Sequence, residues 1–459
     1  MHFEHLFEPA RKSPVQVALI GVGEFGLSLI AQSRSIRGLD IVAAVDPDIA
    51  RVRSALEALG IAFRETDSTR KAVTAIEAGH LALMADSNDV FDLPVDMIVE
   101  ATGAPEAGAL HAVKAIDAGI GVTMVSKEAE CVVGPILAHK ARKAGVGYTL
   151  VEGDQPALLI SLMSRARVLG LPIICAGKSS EYDYVYDRAS QTTTWTQQQT
   201  PSPQLDDLWS LGDDIQATLA QRSEALAALP QRTVPDYCEM LLVANATGLQ
   251  PDRPDFHAPL ARTSELPQVY CPKSDGGLLE HPGRLDVFNC LRRPDEASFA
   301  GGVFVVVQWS DRVSGALFRG KGIPTSDDGR YGLIYNPSHL LGVEAPLSIM
   351  AASRLGNASV DRSYRPVVDL TARALVDLPA GRSLGIVGSR HAVPDLEPLL
   401  MPAQPVSDTS RLPYYMAVGG TLTRSVKAGD FVTRGCLASP PSAGLCALRA
   451  EQDAAFLAT

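Results

Sequence analysis

The chain has no cluster of basic residues, no Cys-x-x-Cys pair and no apolar run near the roughly 18 residues that a membrane span needs. Lys and Arg number 41 against 52 Asp and Glu, a net charge of −11, so neither nucleic acid nor an anionic membrane is an expected partner. Seven cysteines, an odd number widely scattered, set up neither a disulfide framework nor a zinc knuckle. The opening Met1-His-Phe-Glu-His-Leu-Phe-Glu8 carries acids and no apolar core, so no secretory signal is expected. These absences predict a soluble, cytoplasmic protein that acts on a small molecule. With 459 residues it has length for two or three domains, each with its own core.

What is present is concentrated near the N-terminus. The run Val15-Gln-Val-Ala-Leu-Ile20 has the composition of a strand buried on both faces of a parallel sheet. It leads into Gly21-Val-Gly23-Glu24-Phe25-Gly26 and then into Leu27-Ser-Leu-Ile-Ala-Gln32, which suits a helix. In a Gly-x-Gly-x-x-Gly turn the first glycine allows the tight bend. The second leaves room for a pyrophosphate against bare backbone, and the third lets helix and strand pack closely. The helix N-terminus then offers unpaired N–H groups and a positive dipole end. Twenty positions beyond Gly26, Asp46 closes a second apolar strand, Ile41-Val-Ala-Ala-Val, where a carboxylate can accept hydrogen bonds from an adenosine ribose. The stretch predicts a dinucleotide site, with NAD expected; Arg51, close by, leaves NADP open.

The chain then alternates. Helices are predicted over 49–59, 71–78 and 107–118, and strands over 81–86, 96–102, 121–127 and 147–152, which implies a doubly wound parallel sheet. Ligands bind beyond the carboxyl ends of such strands, so Ala101, Thr102 and Gly103, then Ser126 to Glu128, then Glu152 to Gln155 are candidate positions. The fold class is therefore α/β: a Rossmann domain over 1–155, an α+β substrate and dimerisation domain over 156–364, and a small β-rich domain with a C-terminal helix over 365–459. In the second part, a helix over 157–169 and a strand over 171–178 precede 191–214, which is rich in Thr, Gln, Pro and Asp. It has little to bury and is expected to be exposed and mobile. Pieces over 240–248, 301–308 and 336–340 follow, and a helix over 344–354 could return the chain to the first domain. Between Arg365 and Ser439 two strings look alike, Leu378-Pro-Ala-Gly-Arg-Ser-Leu384 and Val426-Lys-Ala-Gly-Asp-Phe-Val432. A terminal helix is predicted over 445–457.

Thr123-Met-Val-Ser-Lys-Glu-Ala-Glu130, Glu152-Gly-Asp-Gln-Pro156, Ala176-Gly-Lys178, Ala244-Asn-Ala-Thr-Gly-Leu249 and Gly320-Lys-Gly322 resemble one family. It comprises the homoserine-dehydrogenase-like NAD(P)-dependent oxidoreductases with a C-terminal SAF domain, which include the alternative 1-deoxy-D-xylulose 5-phosphate reductoisomerases. The resemblance runs from about Val15 onward, and the paired Ala-Gly strings match the SAF pattern. It implies that Lys127 contacts the cofactor. Two departures separate the chain from the reductoisomerase branch: Asp46-Pro-Asp48 stands where that branch has Ser/Arg-type residues, and Ser126-Lys127-Glu128 where it has Asn-Val-Glu.

Lys178, read as the end of an apolar strand, could donate to an alkoxide that develops as hydride moves. Gly177 before it would let a ligand approach, and Lys178→Met is expected to leave folding nearly intact. Glu152 and Asp154 flank Gly153 and could orient a substrate hydroxyl or help to hold Mg²⁺ or Mn²⁺. Lys321 is a further catalytic candidate, and Asn245 and His339 are substrate candidates, although a single histidine such as His339 or His257 is more often structural. The reading is an NAD(P)-dependent oxidoreductase, a homo-oligomer, acting on a small polar sugar-derived or phosphorylated substrate. Coupled isomerisation and a non-catalytic nucleotide sensor are the alternatives.

Overall fold

The computed structural model describes residues 2–388, 391–438 and 442–458; the expected limits at residues 1, 439 and 459 lie outside them. Two short helices, α1 (Phe3–Leu6) and α2 (Glu8–Lys12), precede the first sheet. In it β1 (Val15–Ile20), β2 (Leu39–Val45), β3 (Phe63–Glu65), β4 (Leu81–Met84), β5 (Met97–Glu100), β6 (Gly121–Met124) and β7 (Tyr148–Leu150) are joined by helices. The helices are α3 (Glu24–Ser33), α4 (Ile49–Ala58), α5 (Thr69–Glu77), α6 (Pro105–Asp117) and α7 (Lys127–Ala144). The strands run parallel in the order β3-β4-β2-β1-β5-β6-β7. Successive strands leave β1 on one side and return on the other, so the switch point lies between β1 and β5. Val15, Val17, Ala18, Leu19 and Ile20 are all buried, as a strand covered on both faces requires. The fold is α/β and Rossmann-like.

The chain continues through α8 (Gln155–Val168), β8 (Ile173–Asp187), β9 (Thr192–Trp195), β10 (Gln198–Pro201), α9 (Ile215–Ala225), α10 (Val234–Thr247), β11 (Gln250–Pro251) and β12 (Leu260–Ala261). Then come α11 (Leu266–Val269), β13 (Arg284–Arg292), β14 (Val303–Gln308), α12 (Arg312–Gly320) and β15 (Tyr331–Asn336). The last elements are α13 (Ala345–Arg354), β16 (Val368–Ala374), β17 (Leu396–Pro402), α14 (Tyr414–Ala417) and α15 (Ala443–Phe456). Two compact units result. The first holds the residues up to Ala157, Leu340–Gly385 and those from Ala403 onward; the second holds Leu158–His339 and Ile386–Pro402. No described helix is long and apolar enough to cross a membrane.

In the first unit α13 returns as expected, its Ile349 and Met350 sharing a core with Val15, Val17 and Leu39. The two Ala-Gly strings pair with each other: Leu378 and Val426 exchange backbone bonds of 2.8 and 3.0 Å. Gly381 and Gly429 take φ +85° and +89°, values open to glycine and strained for other residues. A weak sequence repeat has thus become a locally symmetric antiparallel arrangement.

The second unit is a mixed sheet in which β8 lies parallel to β13 and antiparallel to β9 and β14. Its core gathers Cys175, Tyr270, Phe288, Phe304 and Val306. The stretch 191–214, expected to be exposed with little to bury, instead forms the β9–β10 hairpin and a 3₁₀ turn over Pro203–Asp206. Leu205 is buried, with Trp195 and Trp209 packed against the same cluster as Tyr182, Tyr184 and Tyr186. Its few apolar residues are large aromatic ones, and a few such rings bury as much area as many small side chains.

Candidate functional site

The turn from β1 into α3 has the three-glycine geometry. Gly21 sits at φ +94°, and a Cβ there would lie 2.4 Å from the Ala101 carbonyl oxygen, so the β5 loop rests directly on it. A Cβ at Gly26 would lie 2.6 Å from the Gly21 oxygen, whereas one at Gly23 would meet nothing within 4 Å. Gly23 is the N-cap of α3 and has no side-chain cap. The first-turn N–H groups of that helix, including those of Glu24 and Phe25, are therefore not consumed by a capping side chain. Asp46, 8% exposed, closes the cradle. Its Oδ2 accepts the Val22 N–H at 2.9 Å and Arg51 Nη2 at 2.9 Å, and its Oδ1 accepts the Asp48 N–H at 2.9 Å. Arg51 also donates to the Val22 carbonyl at 2.8 Å.

The three strand ends do converge. Gly103 (φ +67°) donates its N–H to Ser126 Oγ at 2.8 Å. Ser126 immediately precedes α7, and Lys127, expected at a strand end, is the first residue of that helix. Lys127 Nζ lies 3.1 Å from Asp154 Oδ2, and Asp154 Oδ1 accepts the Gln155 N–H at 2.9 Å. Thr102 Oγ1 donates to buried Glu100 at 2.6 Å, and His111 bridges Glu100 (3.3 Å) to Ser87 (3.0 Å). The sequence reading passed over Glu100; its signal was one carboxylate closing the apolar run Met97-Ile-Val. Glu152 donates its backbone N–H to Ser348 Oγ at 2.9 Å. Burial, and then the charge of Glu344, push its carboxyl up to about 7. Among the described residues no group of three or more His, Cys, Asp or Glu side chains is arranged to hold a metal ion, and Asp154 is held by Lys127.

In the second unit Lys178 is not at a strand end but well inside β8, 1% exposed. Its ammonium contacts Asp236 Oδ1 at 2.8 Å and Glu239 Oε2, while Ser180 Oγ donates to Asp236 Oδ2 at 2.7 Å. Burial alone would depress the Lys178 pKa, but Asp236 and Glu239 outweigh it and raise it. Lys178 therefore keeps its proton. Gly177 admits the protein's own backbone and no ligand: a Cβ there would lie 2.1 Å from the Asp286 carbonyl oxygen and 2.8 Å from the Phe304 ring. Asp236 and Glu239 went unread in the sequence; the signal was two acids three apart on the otherwise apolar helix α10. Asn245 is buried near the end of that helix. Lys321 is an exposed C-cap of α12. His339 braces the Gly301 turn, its Nδ1 2.8 Å from the Gly301 carbonyl oxygen. The structure thus groups Lys178 with Asp236, Glu239 and Ser180, gives His339 a local structural role and leaves the Lys321 side chain exposed.

These features define the class: a Rossmann-like α/β chain with a glycine cradle and a buried lysine centre. Residues 153–345 match the sequence model of one family, described as "Oxidoreductase DRL, catalytic domain", a stretch shorter than half of the chain. No curated protein matches the sequence. Among solved structures, an oxidoreductase from Agrobacterium radiobacter, crystallised with NAD+, L-tartaric acid and magnesium, is similar at 15% identity over 37% of this chain and 46% of that one, with a TM-score of 0.26. A DOX-P reductoisomerase with magnesium is similar at 17% identity over 37% and 46%, TM-score 0.27. The WlbA dehydrogenase from Bordetella pertussis, with NADH and UDP-GlcNAcA, follows at 16% identity over 38% and 48%, TM-score 0.24. The chain spans less than half the length of each of these structures.

Proposed function

We propose that this chain is an NAD(P)-dependent oxidoreductase that moves a hydride between nicotinamide and a carbonyl or alcohol carbon of a small, polar, sugar-derived substrate. The observation that carries the reading is the cradle from Gly21 to Gly26 closed by Asp46, and the family match over 153–345 supports it. The residues fit a dinucleotide. The open space at Gly23 suits a pyrophosphate, and α3 presents its uncapped N-terminus to the negative charge. Asp46 Oδ1 has capacity for a ribose hydroxyl beyond the Asp48 bond, whereas Oδ2 already has two donors. The bound nicotinamide supplies or accepts the hydride.

The chain's own residues do the rest. Lys178 presents a fixed positive charge, and two of its three N–H donors are taken by Asp236 and Glu239. The third is assigned to the substrate oxygen that becomes or ceases to be an alkoxide. Lys127, held by Asp154, is assigned to the nicotinamide ribose, and Thr102 and Gly103 to the cofactor backbone. Glu152 is assigned to a substrate hydroxyl. Residues 365–459 are read as a SAF-like appendage on the strength of their paired Ala-Gly strings.

Isothermal titration with NAD+ and NADP+ is the first test, followed by a screen for NAD+ reduction over polyols, sugar acids and sugar phosphates. Saturable dinucleotide binding and turnover of one such compound are expected. Binding of neither nucleotide would overturn the reading, and binding without turnover would favour a nucleotide sensor.

A further inference from the structure

Three polar side chains of the first unit stand in a line that the proposed reaction leaves unused. Glu100 ends β5 and is fully buried. Its Oε1 lies 3.3 Å from His111 Nδ1, and His111 Nε2 lies 3.0 Å from Ser87 Oγ. Oε1 already accepts the Thr102 hydroxyl at 2.6 Å and the Thr102 N–H at 3.3 Å. It therefore faces His111 as an acceptor, and Nδ1 carries the ring proton. Nε2 of the neutral ring is then an acceptor in its turn, so the Ser87 hydroxyl must donate to it.

A serine hydroxyl can ordinarily donate or accept. Here its one proton is spent inward, and among the described residues no group donates to its lone pairs. Ser87 is half-buried and offers its surroundings an acceptor only. Its loop is held as well. The Asn88 N–H donates to Asp86 Oδ1 at 2.7 Å, and Lys114, one turn beyond His111 on α6, reaches Asn88 Oδ1 at 3.3 Å.

The place of Ser87 gives that acceptor a partner. It lies three residues beyond Met84, the last residue of β4. The strands run in the order β4-β2-β1, and the Asp46 N–H donates to the Met84 carbonyl at 3.0 Å. A dinucleotide with its pyrophosphate after β1 and its ribose at Asp46 after β2 extends outward past the end of β4 with its base. We propose that Ser87 reads this base as adenine, accepting a hydrogen bond from the exocyclic amino group, and that His111 and Glu100 are positioning residues that fix its polarity. This role rests on the dinucleotide reading above and deepens it, giving that site its base selectivity. Hypoxanthine presents a carbonyl oxygen where adenine has the amino group, and two facing acceptors form no hydrogen bond.

The test titrates the full chain with NAD+ and with nicotinamide hypoxanthine dinucleotide. Wild type should prefer NAD+ by about tenfold, as one hydrogen bond gained against one unpaired acceptor implies. Ser87→Ala and His111→Phe should each bring the two affinities within about twofold, whereas Ser87→Thr, which keeps the hydroxyl, should retain the preference. The ratio is taken within one protein, so a variant that is merely less folded moves both affinities together. Nitrogen NMR of His111 should show the proton on Nδ1. Equal affinities in wild type would overturn the role of Ser87, as would a full preference in Ser87→Ala or a proton on Nε2. Each of these outcomes leaves NAD+ bound and the cradle intact. Binding of neither dinucleotide is the separate result that fails the cradle itself, and this role with it.

Discussion

The glycine cradle of the first unit and the Lys178 centre of the second show two opposite ways of preparing polar groups. The cradle leaves groups unspent: α3 begins without a side-chain cap, and Gly23 borders open space. Its cost is conformational and falls on glycines. The Lys178 centre spends almost everything. One ammonium sits between two carboxylates, with a serine on the second oxygen of Asp236, all buried. Its cost is desolvation, which the ions offset only as a set. The open position of the cradle, Gly23, tolerates a side chain without unfolding. The Lys178 centre does not tolerate loss of a member.

The largest expected effect tests that contrast directly. Lys178→Met leaves Asp236 and Glu239 as an uncompensated pair of buried acids, which should cost about 3–5 kcal/mol of stability. It should also cost roughly 10²–10⁴ in rate, while NAD+ affinity in the surviving folded protein stays near wild type. The expectation that methionine would leave folding intact rested on a strand-end position that the structure does not have. Urea denaturation and steady-state kinetics read both quantities. Adding Asp236→Asn and Glu239→Gln should recover stability but no activity. A stable single variant with normal kcat would erase the distinction between the two regions.

Next come the cradle's own glycines. Gly21→Ala introduces a Cβ 2.4 Å from the Ala101 oxygen at φ +94° and should destabilise the first unit by roughly 2–4 kcal/mol. Gly23→Ala meets nothing in the protein, so its melting temperature should barely move. Its NAD+ affinity should nevertheless fall about tenfold to a hundredfold, which is about 1.4–2.8 kcal/mol. A Gly23→Ala protein that binds NAD+ normally would show that open space in the cradle is not where the pyrophosphate lies.

Cofactor choice should shift by less. The Asp46 carboxylate is already matched by Arg51 at 2.9 Å, so its repulsion of a 2′-phosphate is partly cancelled. Asp46→Ser should narrow the preference for NAD+ by about tenfold, or about 1.4 kcal/mol. Arg51→Ala should widen it. Titration of both nucleotides into the three proteins decides the order, and a wild type that prefers NADP+ would reverse the role given to Asp46.

The smallest effect is a pH dependence. The Glu152 carboxyl is raised to about 7 in the folded protein by burial and by Glu344, above its unfolded value of about 4.3. Below that unfolded value it is protonated in both states and carries no penalty. As pH rises towards 7 the unfolded chain releases the proton first, so the folded state loses stability across that window. Glu152→Gln should therefore match wild type near pH 4 and exceed it by about 1–2 kcal/mol above pH 7. An advantage constant with pH would mean that Glu152 is charged throughout.

The cradle was legible because its function is backbone geometry, and backbone geometry has a residue code. Gly21, Gly23 and Gly26 stand where a bend, an open approach and a close packing need them, and Asp46 lies at the end of the next strand. Strand ends were less legible. Lys127 reads as the close of an apolar run and proves to be the first residue of α7. The stretch 191–214 was misjudged from composition, since two tryptophans and Leu205 bury enough surface to order a hairpin. Gly177 was linked to a ligand, but its space is taken by Asp286 of β13.

By itself the sequence determined the parallel α/β alternation, the glycine-rich strand-to-helix turn and the likeness of the two Ala-Gly strings. Each rests on contacts a few residues apart or on a period along the chain. Tertiary structure alone decided that Lys178 is a buried ion held by Asp236 and Glu239, 58 and 61 positions away. It also decided that buried Asp286 accepts the backbone N–H groups of His257 and Ala258. A lysine's charge state depends on what desolvates and neutralises it, and those partners are set by how α10 packs on β8, which no local pattern records.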